Sequence, residues 1–159
     1  MHVTVKAFGK INIFLDVVGK REDGYHEVKM IMQSVRLHDV IEIARADENA
    51  VFTDSLYVPN NRNNLAMRAA LLLQEETDMP QVSIRIKKNI PVSAGMAGGS
   101  SDATAVLVGC NQLFDLGLSE QELMRLGAEI GSDVPFCVRG GTAIAEGRGE
   151  RIRSLPELP

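Results

Sequence analysis

The chain has 159 residues, a formal net charge of −4 from 17 Lys and Arg against 21 Asp and Glu, 45% hydrophobic residues and 4% aromatic ones. That length suits one compact domain able to bury roughly two-thirds of the surface its unfolded form exposes, and the balance of apolar and charged residues excludes a disordered chain. Mild acidity and few rings argue against a nucleic-acid partner, which needs clustered Lys and Arg and exposed aromatics.

No apolar run is long enough to cross a bilayer, and Met1–Lys6 enters a strand pattern without a signal-type hydrophobic block, so a cytoplasmic location and a small-molecule substrate are expected. Cys110 and Cys137 lie in apolar surroundings with no neighbouring cysteine at metal spacing, and are expected to be reduced core residues.

Val3, Val5 and Ala7 alternate, as do Ile11, Ile13, Leu15 and Val17, with Gly9-Lys10 between them as a candidate bulge in a paired or bent first strand. Alternation places Lys10, Asn12 and Phe14 on one face, with Ile11, Ile13 and Leu15 on the opposite, core-facing one. The polar run Gly19–Gly24 reads as a turn. Strands are expected around Val28–Met32 and over Asp39–Arg45, and connections over Asp47–Asn63. Asn63 or Asn64 can cap a helix carrying Leu65, Ala69, Leu72 and Leu73, which should fail before Pro80. Val82, Ile84 and Ile86 alternate as a further strand. Ala103, Val106, Leu107, Cys110, Leu113 and Phe114 recur at helical spacing. Ser119 with Glu122 forms a capping box for a third helix, which Gly131 should end in the left-handed conformation. Thr142–Ala145 reads as a return strand. Strands early and helices late favour an α+β, two-layer domain.

Between the Val82–Lys87 strand and the following helix lies Pro-Val-Ser-Ala-Gly-Met-Ala-Gly-Gly-Ser-Ser-Asp-Ala, residues 91–103. Strand, glycine bend and helix start together make a phosphate cradle. Gly95, Gly98 and Gly99 allow close approach to the backbone, and the first amides of a helix lack intrahelical partners and lie at its positive end. The alternative is a plain tight turn with Ser100 or Ser101 as an ordinary helix cap. No Gly-Lys-Ser/Thr sequence is present, and Gly95-Met96-Ala97-Gly98-Gly99 does not fit the dinucleotide spacing G-x-G-x-x-G.

Two residues answer the remaining needs of phosphoryl transfer, a cation and a base. Lys10 projects beside Asn12 from the first strand, and Asp133, set in the apolar run before Val134-Pro135, needs a partner if it is partly buried. Lys10 could be that partner. The alternatives are a solvated strand lysine, and an aspartate that merely caps the next turn. Tyr25 could be an ordinary strand aromatic and His26 a surface histidine.

Four blocks make the chain resemble the GHMP small-molecule kinases: Lys10–Leu15, Gly19–His26, Pro91–Ala103 and Gly131–Phe136, together reaching across essentially the whole sequence. The glycine loop is shared by mevalonate, homoserine and galactose kinases. Arg21-Glu22-Asp23-Gly24-Tyr25-His26 resembles the branch whose small-molecule substrate is a cytidyl diphosphate sugar alcohol.

The resemblance implies a two-layer sandwich of the ribosomal protein S5 domain 2 type and an ATP-dependent kinase. ATP phosphates would lie on Pro91, Val92, Ser93, Ala94, Gly95, Met96, Ala97, Gly98, Gly99, Ser100 and Ser101. Lys10 and Asp133 would be the catalytic pair, with Asp133 the base for the acceptor's tertiary 2-hydroxyl. Asn12, Tyr25 and His26 would contact substrate, the tyrosine by stacking on cytosine, and Asn64 would lie near the adenine. Magnesium is expected with ATP, although no metal ligand is identifiable.

Gly9 stands where the family usually has alanine, and Ser93, Ala94 and Ala97 replace a more glycine-rich loop. Family members also carry a C-terminal substrate domain. Residues 1–159 are expected to form the N-terminal ATP-binding domain alone, with weak or no turnover. The rival expectations are another GHMP kinase, a non-catalytic nucleotide-binding fragment, or an RNA- or protein-binding module.

Overall fold

A computed structural model describes residues 1–158. The chain runs β1 (His2–Lys20), β2 (His26–Arg45), β3 (Ala50–Thr53), α1 (Leu65–Glu76), β4 (Val82–Lys87), α2 (Gly98–Leu113), α3 (Glu120–Ile130), α4 (Val134–Arg139), β5 (Thr142–Gly147) and β6 (Arg151–Ser154). This is the α+β arrangement expected, a mixed six-stranded sheet packed with helices.

β2 organises the sheet. One edge carries β1 along its length, whereas the other is shared, with Val28–Gln33 pairing β5 and Val40–Arg45 pairing β4. Ser34–Asp39 lies between these two footholds, and the functional loops gather there. Opposite it, the β1–β2 register shifts between Phe8 and Lys10, at the Gly9-Lys10 position where a bulge was expected. β2 is one continuous strand rather than two.

Helix ends follow local chemistry. Asn64 accepts from the Ala66 amide at 2.9 Å to cap α1, and Ser119 and Glu122 complete the capping box of α3. Gly131 departs from expectation. Its φ of −174° and ψ of 155° are extended, so α3 ends without a left-handed residue.

The principal core joins Ala7, Ile41, Ile43, Ile84 and Ile86 of the sheet to Leu73, Val106, Leu107 and Leu126 of the helices. α2 lies close on the sheet because Gly109 has no side chain: a Cβ there would sit 2.7 Å from Ile43 Cδ1. A smaller cluster joins Met30, Met32, Phe136, Ala143 and Ala145.

The far half of β1 contradicts the expectation of a core-facing apolar row. Ile11, Ile13 and Leu15 are 42%, 50% and 53% exposed. A second register shift between Asn12 and Phe14 leaves Ile13 unpaired and resets the alternation, and neither core cluster includes this stretch.

Candidate functional site

The glycine loop leaves β4 and enters α2 through backbone conformations that favour glycine. Gly95 has φ 73°, but Ser93 at 59° and Ala97 at 56° also occupy the left-handed region, each at a cost of about 1 kcal/mol that packing around the loop must offset. Ala97 is the N-cap of α2 and offers no side-chain cap. The alternative of Ser100 or Ser101 as a cap is therefore overturned, because both lie within the helix. The first turn of α2 contains no acidic residue, so its leading amides and positive dipole end are available to an anion.

Beside this loop is a hollow of about 250 Å³ lined by Asn64, Lys88, Ser93, Gly95, Gly98 and Asp102, among others. Its size and glycine-rich wall fit part of a nucleotide. Asn64 is spoken for in the fold: its Oδ1 caps α1 and its Nδ2 donates to the Pro59 carbonyl at 2.9 Å.

Backbone contacts tie the loop to β1. The Lys10 amide donates to the Met96 carbonyl at 3.0 Å, and the Ser101 hydroxyl donates to the Phe8 carbonyl. These bonds hold Lys10 against the loop. Its side chain, 6% exposed, donates to Asn12 Oδ1 at 3.2 Å and approaches Asp133 Oδ2 at 3.8 Å.

Asp133 immediately precedes α4 but makes no capping hydrogen bond, so its side chain is not consumed as a helix cap. Lys10, Asn12 and Asp133 are thus brought together next to the glycine loop. An ammonium, an amide and a partly exposed carboxylate in this position can neutralise charge on an incoming oxygen and accept its proton.

Tyr25 and His26 lie at the far end of the β1–β2 hairpin, where His26 pairs with Lys20, ten residues along β1 from Lys10. Tyr25 is exposed, with the Arg148 guanidinium 4.5 Å from its ring centroid. The hairpin end is braced by Arg21 to Asp23 and Glu27, and by Arg151 to Glu27 at 2.7 Å. Both cysteines are free thiols pushed up to about 12 by burial, consistent with core roles.

One part of the site was missed in the sequence. Lys88 Nζ donates to Asp39 Oδ2 at 2.5 Å and to Asp102 Oδ2 at 2.9 Å, and all three side chains are at most 7% exposed. Burial pushes the Asp102 carboxyl up to about 8, with Lys88 opposing and Asp39 adding to the rise. Burial also raises Asp39, but hydrogen bonds from Asp102, Lys88 and the Ile90 and Asn89 amides outweigh it and leave the group below its usual range. The signal was present: Asp39 shares the strand face of Ile41 and Ile43, Lys88 follows Ile86 on its face, and Asp102 lies one turn before Val106.

Fold and site together define an α+β domain with a lysine–aspartate pair set beside a glycine loop that opens a helix. The GHMP kinases N terminal domain family matches residues 64–141. Over that stretch the chain is similar to the N-terminal domain of the GHMP kinases.

It is 54% identical to 4-diphosphocytidyl-2-C-methyl-D-erythritol kinase of Caldicellulosiruptor bescii over 98% of its own length and 55% of that protein's. It is 55% identical to the enzyme of the same name from Bacillus cytotoxicus over 100% of this chain and 56% of the relative. A solved 4-(cytidine 5'-diphospho)-2C-methyl-D-erythritol kinase superposes with a TM-score of 0.80 at 35% identity, covering 96% of this chain and 55% of that one. The Methanococcus jannaschii mevalonate kinase, at 17% identity and a TM-score of 0.71, shares the fold. The chain spans about half the length of the relatives it matches. Among the described residues no helix is long and apolar enough to cross a membrane.

Proposed function

We propose that residues 1–159 form the ATP-binding domain of a kinase that phosphorylates the 2-hydroxyl of 4-diphosphocytidyl-2-C-methyl-D-erythritol, in the non-mevalonate route to isoprenoids. The observation that supports this most is the approach of Lys10 Nζ to Asp133 Oδ2, 3.8 Å, beside a loop whose Met96 carbonyl is bonded to the Lys10 amide. The names of the relatives supply the substrate.

In this reading the amides between Pro91 and Ser101 bind the nucleotide's phosphates, and Asn64 lies near its adenine. Asp133 orients the acceptor hydroxyl and takes its proton as the oxygen meets the γ-phosphorus. Lys10 offsets negative charge on that oxygen, while Asn12 holds the lysine in line. With a loose, dissociative transition state, positioning and charge stabilisation contribute most of the rate. Magnesium accompanies the nucleotide; among the described residues no group of three or more His, Cys, Asp and Glu could hold a metal, and no ligand is assigned to it.

Tyr25 offers the ring face away from Arg148 to the cytosine, and His26 bonds the base edge. Exposed Leu15 and Val17, which share a face beyond the bulge, would be covered by the substrate domain that the longer relatives have room for. Without that cover the cleft stays wet and turnover should be slow.

An ADP-coupled assay with ATP, magnesium and the cytidyl substrate tests the proposal, with mevalonate and homoserine as control acceptors. Release of ADP that depends on the cytidyl substrate, with new phosphate on the 2-hydroxyl by phosphorus NMR, is expected. Preferential phosphorylation of a control alcohol would move the chain to another branch. Tight ATP binding with no acceptor-dependent release would leave a nucleotide-binding module.

A further inference from the structure

The glycine loop has two ends, and a buried ionic cluster joins both to the middle strand. On the entry side, Asp39 Oδ1 of β2 accepts from the Asn89 and Ile90 amides at 2.5 and 2.8 Å. On the exit side, Asp102 belongs to α2. Lys88 Nζ bridges Asp39 Oδ2 and Asp102 Oδ2, and its own backbone amide donates to exposed Asp54 at 2.9 Å. A Cβ on Gly98 would lie 3.2 Å from that ammonium, so the loop passes directly over it.

The cluster sets two carboxyl groups against one ammonium. Asp102 is 2% exposed, and its Oδ1 is buried without a hydrogen-bond partner. The charged groups acting on it are Lys88 and Asp39; α1 brings Asn64 and Leu65 to the same hollow, and neither titrates. Two buried anions sharing one cation would leave an unbalanced negative charge in the wall of a hollow meant for phosphates.

We propose that Asp39, Lys88 and Asp102 are positioning residues that clamp the glycine loop, and that the clamp is made charge-neutral by one proton shared between the two carboxyl groups. Loss of that proton to solvent places a net negative charge beside the loop, loosens its exit end and weakens nucleotide binding. A raised Asp102 carboxyl, about 8, agrees with this geometry. The effect on nucleotide rests on the phosphate-binding reading above, whereas the clamp itself does not.

The free wild-type protein, carbon-13 labelled in its aspartates, provides the test. Its Asp102 carboxyl is expected to titrate between pH 7 and 9, roughly the range about the raised value, with amides 93–99 following the same midpoint. In Asp102→Asn those amides should show no transition in that range. Mg-ATP affinity of the wild type should fall roughly five- to tenfold across the transition, and that of the variant should stay flat.

An Asp102 carboxyl that titrates below pH 5, or loop amides indifferent to its ionisation, overturns the proposal. Coupled titration of carboxyl and loop with no ATP binding at any pH sustains the clamp and removes the kinase reading. Binding with the same pH dependence in wild type and variant removes the clamp and leaves the kinase reading standing.

Discussion

Gly127 lies inside α3, where alanine would ordinarily stabilise the helix by up to about 1 kcal/mol. Its environment reverses that sign. A Cβ at Gly127 would stand 2.6 Å from Val134 Cγ1 and 3.2 Å from Val134 Cβ. Rotation of the valine could relieve the first contact but not the second. With the fully buried valine held in its rotamer, reaching ordinary contact at 3.4 Å requires α3 and the start of α4 to separate by about 0.8 Å, and with the valine rotated the Cβ contact still requires about 0.2 Å.

Overpacking of this kind costs about 1–3 kcal/mol. Gly127→Ala should therefore be less stable by a net of about 1–2 kcal/mol, lowering the thermal midpoint by roughly 2–8 °C in a domain of this size. Denaturation followed by circular dichroism measures it. Because Val134 follows Asp133, the same shift carries the carboxylate away from Lys10, and a displacement near 1 Å can reduce a rate by about a hundredfold. A midpoint equal to or above wild type would refute the packing argument. A lowered midpoint with full activity would separate the α3–α4 contact from the site.

Asp133→Asn keeps the shape of the side chain but cannot accept a proton, and should lower the rate of phosphoryl transfer by about two to four powers of ten with ATP affinity little changed; near-normal turnover would remove Asp133 from the chemistry. Gly98→Ala brings a methyl group to 3.2 Å from both Ile90 Cγ2 and Lys88 Nζ, and calorimetry should show weaker Mg-ATP binding; unchanged affinity would mean that the loop is not so tightly seated. Asp102 keeps its proton in the folded state from pH 3.8 to about 8, so wild-type stability should fall across that window by at most about 1.4 kcal/mol per pH unit. The lowered Asp39 acts below the window and the raised Lys88 above it. Urea midpoints at several pH values should then slope less in Asp102→Asn, and parallel profiles would contradict the shared proton.

Elements with local chemical signatures were legible from the sequence. Asn64 and Ser119 cap where their side chains can reach free amides, and the strand, glycine bend and helix of residues 82–113 follow from periodicity and composition. What failed depended on longer-range geometry. The inward assignment of Ile11, Ile13 and Leu15 assumed unbroken alternation, which the bulge at Ile13 destroys. α4 is six residues long with Pro135 in its first turn, too short to show a helical repeat. β6 is a brief polar strand paired only with β5, and its Arg-rich sequence carries no alternating apolar signal.

The site divides in the same way. Asp133 was visible as a residue needing a partner and Lys10 as a candidate for it, and the resemblance to a kinase family joined the two, which approach to 3.8 Å. Asp39 and Asp102 lie on core-facing positions of β2 and α2 and Lys88 directly follows β4, but no local pattern joins the three. Only the gap between the β4 and β5 footholds on β2 brings them into one cluster.

A structure of this chain with magnesium and a non-hydrolysable ATP analogue measures the central claim most directly. Triphosphate oxygens should lie within hydrogen-bond distance of main-chain amides between Gly95 and Ser101, with the terminal phosphorus on the side of the loop that faces Lys10 and Asp133. An analogue bound elsewhere, or one whose terminal phosphate points away from that pair, would contradict it.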